Sequence, residues 1–137
     1  MTNGDRAEGG GFRPQRHGVA YALLLAWCAG VWFLSSRPDP GDTIGFAVDL
    51  PDWLLHGIEY AVGGILAAAA FSHLRSPLGV VTAIAFCVAY GVLDEWHQSH
   101  VPGRHADLGD VAADTVGTVL GVLAWTAFAG RSPSSAP

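Results

Sequence analysis

The chain has 137 residues, half of them hydrophobic, and a formal net charge of −5. Its basic residues are seven arginines scattered along the chain, which excludes the basic patch of a nucleic-acid-binding protein. The apolar residues fall in blocks, and so short a chain has no further element to cover helices that are apolar on every side. A soluble four-helix bundle is therefore disfavoured, and lipid is the expected neighbour of these blocks.

Four apolar blocks predict four transmembrane helices. Residues 19–34 and 78–93 carry no charge, whereas residues 53–71 and 111–128 are interrupted only by His56, Glu59 and Asp114. Each block approaches the length of about 20 residues that a helix needs to cross a hydrocarbon core of about 30 Å. We predict an all-α membrane domain over residues 18–129, an antiparallel bundle with spans at about 18–35, 53–72, 77–96 and 108–128.

The segments outside these spans are polar. Residues 1–17 and 130–137 have no apolar periodicity and are predicted to be disordered tails. The first span is followed by Ser35 and Ser36, so a cleaved signal peptide is an alternative. Its apolar run exceeds the usual length of about 7–15 residues and no A-x-A site follows, which favours a retained span.

The arginines predict the orientation, because cytoplasmic flanks carry the excess of positive charge. In a four-span chain the tails and the middle loop share one side, and the first and third loops share the other. Only Arg37 and Arg104 fall on the second side, whereas the first side collects Arg6, Arg13, Arg16, Arg75 and Arg131. Both termini are expected to be cytoplasmic, and the third loop is expected to face outward.

Residues 90–121 hold an unusual density of ionisable side chains between two apolar blocks. Such groups at the edge of a bilayer are expensive and usually functional. At about 1.5 Å per residue, three helices deliver polar groups to one outer-leaflet level. These groups are His56 and Tyr60 on the second span, Asp94, Glu95 and Gln98 at the end of the third, and Asp110 and Asp114 on the fourth. They predict an outward-facing polar pocket.

Small residues continue the same helix faces below the polar groups. Asp110, Asp114, Gly117 and Gly121 recur at spacings of four, three and four on one side of the fourth span. His56, Tyr60, Gly63 and Ala67 form a comparable stripe on the second. Gly117 and Gly121 make a GxxxG motif, which permits close helix approach in lipid. We expect the two faces to pack together, and a homo-oligomer through the same glycines is an alternative use of the motif.

The third loop contains Pro102, Gly103 and Arg104, a turn suited to an anion because arginine offers a fork that matches phosphate. Arg104 is alternatively a structural partner of Glu95 or Asp110. His97, His100 and His105 are expected to be solvated loop residues. No cofactor and no metal is predicted, since His56, Glu59, Asp94, Asp110 and Asp114 match no diagnostic metal-binding spacing.

These residues resemble the signature of the VanZ-like family of small bacterial membrane proteins. The matching positions are Asp52, His56, Tyr60, Asp94, Glu95, Gln98, Pro102, Arg104, Asp110, Asp114, Gly117 and Gly121. Trp53 stands where the family often has lysine, and Gly57 where it often has phenylalanine. The resemblance implies an integral protein of the bacterial cell envelope and, for the named member, a contribution to resistance to the glycopeptide teicoplanin. It implies no reaction.

The leading hypothesis is binding of a phosphate-bearing lipid or cell-wall-related compound in the outward pocket. Arg104, Gln98, Tyr60, Asp114 and Gly103 are the predicted ligand-binding residues, and His56, Asp94, Glu95 and Asp110 are the acid–base groups available if a reaction occurs. One alternative is a homodimeric proton-coupled transporter that uses Asp114 and Glu59, although the inner halves of the spans hold no ionisable group for a complete relay. Another is a structural assembly factor, which leaves the charges unexplained.

Overall fold

The computed structural model of the chain describes residues 14–38 and 50–129. These residues form helices joined by short connections, and none of them lies in a strand. The helices are α1 (Pro14–Ser35), α2 (Asp52–Ala70), α3 (Leu78–Gln98) and α4 (Leu108–Ala129), with a short 3-10 turn (Phe71–His73) after α2. α1 thus begins inside the range that was assigned to the N-terminal tail. The rest of that tail, the C-terminal tail from residue 130 and most of the acidic first loop lie outside the described residues.

Each of the four helices is long enough and apolar enough to cross a membrane. Large apolar side chains point away from the bundle on every helix. Leu25 on α1 is 67% exposed, Val81 on α3 is 58% exposed and Leu120 on α4 is 59% exposed. Apolar surface of this extent suits a lipid environment, and the prediction of an all-helical integral membrane protein is confirmed at this level.

Local chemistry explains where the helices that carry the polar groups begin and end. Asp107 precedes α4, and its Oδ1 accepts a hydrogen bond from the backbone N–H of Gly109 at 2.7 Å, as an N-cap residue does. Pro51 precedes α2, and Asp52 places a negative charge in the first turn, where the helix dipole favours it. α3 continues to Gln98, two residues past the predicted end of the span. The last polar groups of α3 therefore have helical positions and stay within the bundle.

The closest helix pair is α2 with α4, and it meets through backbone atoms. A Cβ atom on Gly117 would overlap the carbonyl oxygen of Gly57, and one on Gly121 would overlap that of Ala61. One turn further along, a Cβ on Gly64 would overlap the backbone of Thr118. We call this contact the α2–α4 seam; only residues without a Cβ on at least one side permit it.

The seam corrects part of the predicted helix pairing. Gly117 and Gly121 do face α2, as expected, but they meet Gly57 and Ala61 and not the stripe that contains Gly63. Gly63 instead faces α1, where a Cβ would lie 2.5 Å from the ring of Trp27. The prediction of a homo-oligomer through Gly117 and Gly121 is untested in a single chain.

α1 and α3 complete the bundle around this pair. Trp27 of α1 donates its indole N–H to the carbonyl oxygen of Glu59 at 3.2 Å and packs edge-on against Tyr60 at 5.2 Å between ring centroids. Tyr90 of α3 donates its hydroxyl hydrogen to the carbonyl oxygen of Cys28 at 2.6 Å. The buried core between the four helices consists of Leu24, Tyr60, Ala67, Ala68, Ala70, Ala83, Cys87 and Val122. Small side chains dominate it, which lets the helices lie close together.

Candidate functional site

The polar side chains gather where the last turns of α1 and α3 meet the first turns of α2 and α4. Ser35 at the end of α1 reaches Asp94 near the end of α3, and His56 near the start of α2 reaches Asp114 on α4. His56, Asp94, Glu95, Gln98 and Asp114 are all at least nine-tenths buried. Charged groups in such a position need compensation by hydrogen bonds or opposite charges. Two groups of contacts provide it.

The first group, which we call the His56 cluster, consists of His56, Glu95, Asp110 and Asp114. His56 Nδ1 lies 3.0 Å from Asp114 Oδ1, and His56 Nε2 lies 4.0 Å from Asp110 Oδ2. Since a carboxylate accepts, His56 donates its Nδ1–H to Asp114, and Nε2 is directed toward Asp110. One imidazole nitrogen and one oxygen from each of Glu95 and Asp110 lie within 4.8 Å of one another.

Close packing fixes the position of Asp114 in this cluster. Its side chain is buried against Gly91 of α3, where a Cβ would come within 2.9 Å of Asp114 Oδ2. The ring of Tyr60 packs against the same glycine, 3.3 Å from that Cβ position. Asp114 is fully buried, and it therefore holds the imidazole of His56 in one orientation from inside the bundle.

The second group is a chain of hydrogen bonds from Ser35 to Arg104. Ser35 Oγ and Gln98 Nε2 each donate to Asp94 Oδ2 at 2.8 Å. Arg104 then donates from Nε and Nη2 to Gln98 Oε1, at 3.1 and 2.6 Å. The Gln98 amide thus stands between a cation and a carboxylate and bonds to both.

The connection between α3 and α4 is held by side chains of α3. The backbone N–H of Asp107 donates to Glu95 Oε2 at 2.8 Å, and Arg104 is bonded to Gln98. Gly103 has a φ angle of +84°, a conformation that L-residues with side chains rarely adopt and that turns the chain so that Arg104 points back to the bundle. The loop is therefore a defined turn anchored at two points.

An open cleft lies over this turn, with a volume of about 510 Å³. We call it the Arg104 cleft; it is lined by Pro38, Asp52, Gln98, Gly103, Arg104, His105, Ala106, Asp107 and Asp110. Asp110 belongs to both the cleft and the His56 cluster. A molecule in the cleft would therefore contact the Arg104 side chain and the rim of the cluster together.

Several buried polar atoms near these contacts have no hydrogen-bond partner among the described residues. They are Tyr60 Oη and one oxygen of each of three carboxylates, namely Asp94 Oδ1, Glu95 Oε1 and Asp114 Oδ2. Buried polar atoms are normally paired, and exceptions in a native structure often mark functional positions. The concentration of unpaired acceptors at this end points to donors or cations that complete the site.

The structure places the predicted site residues in two layers. Gln98, Gly103, Arg104 and Asp110 line the cleft, whereas His56, Asp94, Glu95, Tyr60 and Asp114 lie beneath it. Tyr60 is fully buried and its hydroxyl does not line the cleft. Its predicted ligand contact is therefore indirect in this arrangement.

Two expectations about individual residues differ from the structure. Arg104 bonds Gln98 and neither Glu95 nor Asp110, because the loop turn carries it toward the end of α3. His97 is a helical residue. Its ring stacks on that of Trp32 with 3.9 Å between the ring centroids, and its Nε2 lies 3.0 Å from Ser36 Oγ. Of the three histidines expected to be solvated loop residues, His100 and His105 are exposed and lie outside the helices.

Sequence reasoning missed the roles of Ser35 and Asp107. Ser35 directly follows the first apolar block, where a hydroxyl is positioned to meet polar groups on a neighbouring helix end. Asp107 directly precedes the predicted start of the fourth span, which is an N-cap signal. Both signals were present, but neither names the helix that it contacts.

Comparison with known proteins gives one match. A family model described as VanZ/LLP1 matches residues 19–129, which include α2, α3, α4, most of α1 and every residue of the two polar groups. No curated protein and no solved structure matches the chain at a significant level.

Proposed function

The chain belongs to the VanZ/LLP1 family, and we propose that it binds a phosphate-bearing lipid or cell-wall-related ligand in the Arg104 cleft. The proposal concerns binding and includes no reaction. The ligand phosphate would take the place beside Arg104 that no carboxylate occupies among the described residues, and its organic part would extend over the cleft toward lipid.

The observation that carries the proposal is the bonding of Arg104. Its Nε and Nη2 are directed to the neutral amide of Gln98, and no carboxylate of the described residues pairs with the guanidinium. Five carboxylates of the cleft and cluster lie within the same region, and none of them pairs with Arg104, so this arrangement leaves the cation available. Arginine presents a planar fork of donors that matches phosphate oxygens, which makes a phosphate the fitting partner.

The surroundings of Arg104 favour a ligand that carries an apolar part. Trp53 is 58% exposed and Trp96 is 60% exposed near the start of α2 and the end of α3. Aromatic side chains at this level suit the boundary between head groups and acyl chains. A phosphate on a lipid would reach Arg104 from that boundary without leaving the membrane surface.

The proposed location is the cytoplasmic membrane of a bacterium, with an antiparallel bundle, both termini in the cytoplasm and the cleft facing outward. The contacts between the ends of α1 and α3 and the beginnings of α2 and α4 support the antiparallel order. The excess of arginines on the side of the tails and the middle loop supports the orientation. A cleft on the outer side faces the cell wall and the compounds from which it is made.

We also propose that the protein contributes to tolerance of glycopeptide antibiotics, as the resemblance to the VanZ-like family implies. Binding of a lipid-linked wall precursor would provide a physical route to such an effect. Native mass spectrometry with a polyprenyl phosphate measures the binding step apart from this cellular consequence.

Native mass spectrometry of the full-length protein in detergent tests the binding proposal. The probes are a polyprenyl phosphate and the matching polyprenol, which differs only by the phosphate. We expect a complex with the first and at most weak binding of the second. Arg104→Ala should weaken the phosphate complex about tenfold to a hundredfold, because a hydrogen bond to a charged group contributes about 1.5–3 kcal/mol.

Arg37→Ala is the matched control, since Arg37 is exposed at the same end of the bundle and lies over the ring of Phe33 at 4.5 Å. It removes the same charge without touching the cleft lining. Equal affinity for phosphate and alcohol, or equal losses in the two arginine variants, would show that Arg104 is not an anion site.

A further inference from the structure

The His56 cluster has the arrangement of a metal site that contiguous sequence motifs do not reveal. His56 comes from α2, Glu95 from α3 and Asp110 from α4, so no short spacing announces them. The structure brings one donor atom of each within 4.8 Å of the others. We propose that this cluster binds one divalent transition-metal cation, with His56 Nε2, Glu95 and Asp110 as the ligands.

The orientation of His56 is the first argument. Its Nδ1–H donates to Asp114 at 3.0 Å, which leaves Nε2 directed toward Asp110. Histidine ligands of metals almost always donate their other ring N–H to a carboxylate or carbonyl, which fixes the ring and raises its basicity. Asp114 therefore has the place of the carboxylate behind a metal-bound histidine.

The distance between the ligand atoms is the second argument. His56 Nε2 and Asp110 Oδ2 are 4.0 Å apart, which is too long for a hydrogen bond. Two ligands about 2.1 Å from one tetrahedral Zn²⁺ lie roughly 3.4 Å apart. A small side-chain adjustment of Asp110, which lies at the rim of the cluster, brings the pair to that separation.

The unpaired oxygen of Glu95 is the third argument and is independent of the histidine. Glu95 is 5% exposed, and its Oε2 accepts the backbone N–H of Asp107, while Oε1 has no partner among the described residues. A buried carboxylate oxygen without a donor is unfavourable unless a cation completes its coordination. Glu95 therefore has one oxygen fixed to the loop and one free to act as a ligand.

The donor set favours a transition metal over a hard cation. One imidazole nitrogen with carboxylate oxygens suits Zn²⁺, Mn²⁺ or Fe²⁺, whereas Mg²⁺ and Ca²⁺ prefer oxygen ligands alone. Three protein ligands at the edge of an open cleft also leave coordination positions for water or for an oxygen of a bound molecule. Since Asp110 lines the Arg104 cleft, such a molecule would approach the ion and Arg104 from the same side.

Metal content and affinity of the full-length protein in detergent test this proposal. After chelation and dialysis we would titrate Zn²⁺ by calorimetry and record the electron paramagnetic resonance spectrum of bound Mn²⁺. We expect one ion per chain and its loss in both His56→Gln and Asp110→Asn. Asp114→Asn should retain the ion with about 10–100-fold weaker affinity, the usual effect of losing a partner behind a ligand.

Two matched variants control for nonspecific effects. His100→Gln removes an exposed imidazole at the same end of the bundle, and Glu59→Gln removes a carboxylate one turn from His56 but outside the cluster. Both should bind Zn²⁺ as the parent chain does. Asp110 lies at the rim, so Asp110→Asn provides a folded variant if His56→Gln does not fold. Absence of stoichiometric Zn²⁺ and Mn²⁺ binding, or unchanged binding in Asp110→Asn, overturns the proposal.

The metal titrations contain no lipid, and the polyprenyl phosphate experiment is run with chelator present. Failure of the metal site therefore leaves the Arg104 proposal standing, and the reverse also holds. Binding of polyprenyl phosphate that tightens after one equivalent of Zn²⁺ is added would place the ion next to the ligand phosphate.

Discussion

The two ends of the α2–α4 contact are built in opposite ways. At the start of both helices an imidazole lies between two carboxylates, with His56 Nδ1 3.0 Å from Asp114 and Nε2 4.0 Å from Asp110. Below them the seam has almost no side chains, because Gly117 and Gly121 meet the carbonyl oxygens of Gly57 and Ala61. The polar contact depends on charge and orientation, whereas the seam depends on the absence of a Cβ. The comparison shows how a chain this small holds ionisable groups in register, since the seam sets the separation of the helices that carry them.

The largest expected effect comes from adding a Cβ atom to the seam. Gly121→Ala places a Cβ against the backbone of Ala61, which can move only if the helices separate. Overpacking costs about 1–3 kcal/mol and occasionally more, and we expect the upper end of that range because the obstacle is backbone. Thermal unfolding in detergent, followed by circular dichroism, measures the change.

Gly30→Ala is the control for this substitution. A Cβ at Gly30 meets nothing within 4 Å, so the change should be neutral or slightly stabilising through helix propensity, by up to about 1 kcal/mol. If the two alanine variants unfolded at the same temperature, the seam would not be what sets the helix separation.

A smaller effect is expected from the polar end. Asp94→Ala removes the shared acceptor of Ser35 and Gln98, so the Ser35 hydroxyl loses its acceptor and Gln98 Nε2 keeps only its 3.5 Å hydrogen bond to Ser35 Oγ. Unsatisfied buried groups cost about 1–3 kcal/mol, and Asp94→Asn should cost less because it keeps an acceptor oxygen. The same unfolding measurement compares both with Asp52→Ala, which removes an exposed carboxylate. Asp94→Ala as stable as Asp52→Ala would mean that this hydrogen-bond chain adds little.

The smallest effect is expected at the exposed edge of the same end. Ser36→Ala removes a hydroxyl that donates to the carbonyl oxygen of Trp32 and lies 3.0 Å from His97 Nε2. Substitutions at exposed positions usually change the free energy of unfolding by less than about 0.5 kcal/mol, and we expect a change within that limit here. A loss as large as that of Asp94→Ala would show that the exposed contact of Ser36 with His97 stabilises the pairing of α1 with α3 as much as the buried chain does.

The helices were predictable from the sequence because each has its own apolar block. Apolar length is a property of one segment, and the segments at residues 19–34 and 78–93 have no charge that would interrupt them. The ends were less predictable: α3 continues to Gln98, since Asp94 and Gln98 find partners inside the bundle and do not need water. The polar side chains that suggested an earlier end of the helix form hydrogen bonds with α1 and with the loop.

Which residues gather at the polar end was also predictable, but their pairings were not. Helical spacing places Asp114 and Gly117 on one face, yet it does not say which neighbour each position of α2 meets. His56 reaches α4 while Gly63 faces Trp27 of α1, because α2 contacts several helices at once. The partner of Arg104 was equally unpredictable, since the positive φ angle of Gly103 decides where the Arg104 side chain points.

The anchoring of the third loop bears on how tightly the ligand proposed for the Arg104 cleft would bind. Glu95 holds the backbone of Asp107, and Gln98 holds Arg104, before any ligand arrives. Ordering a flexible side chain on binding costs about 0.5–1.5 kcal/mol, and a flexible loop adds more. Here hydrogen bonds to Glu95 and Gln98 already hold that loop, so the proposed ligand would bear less of this ordering cost.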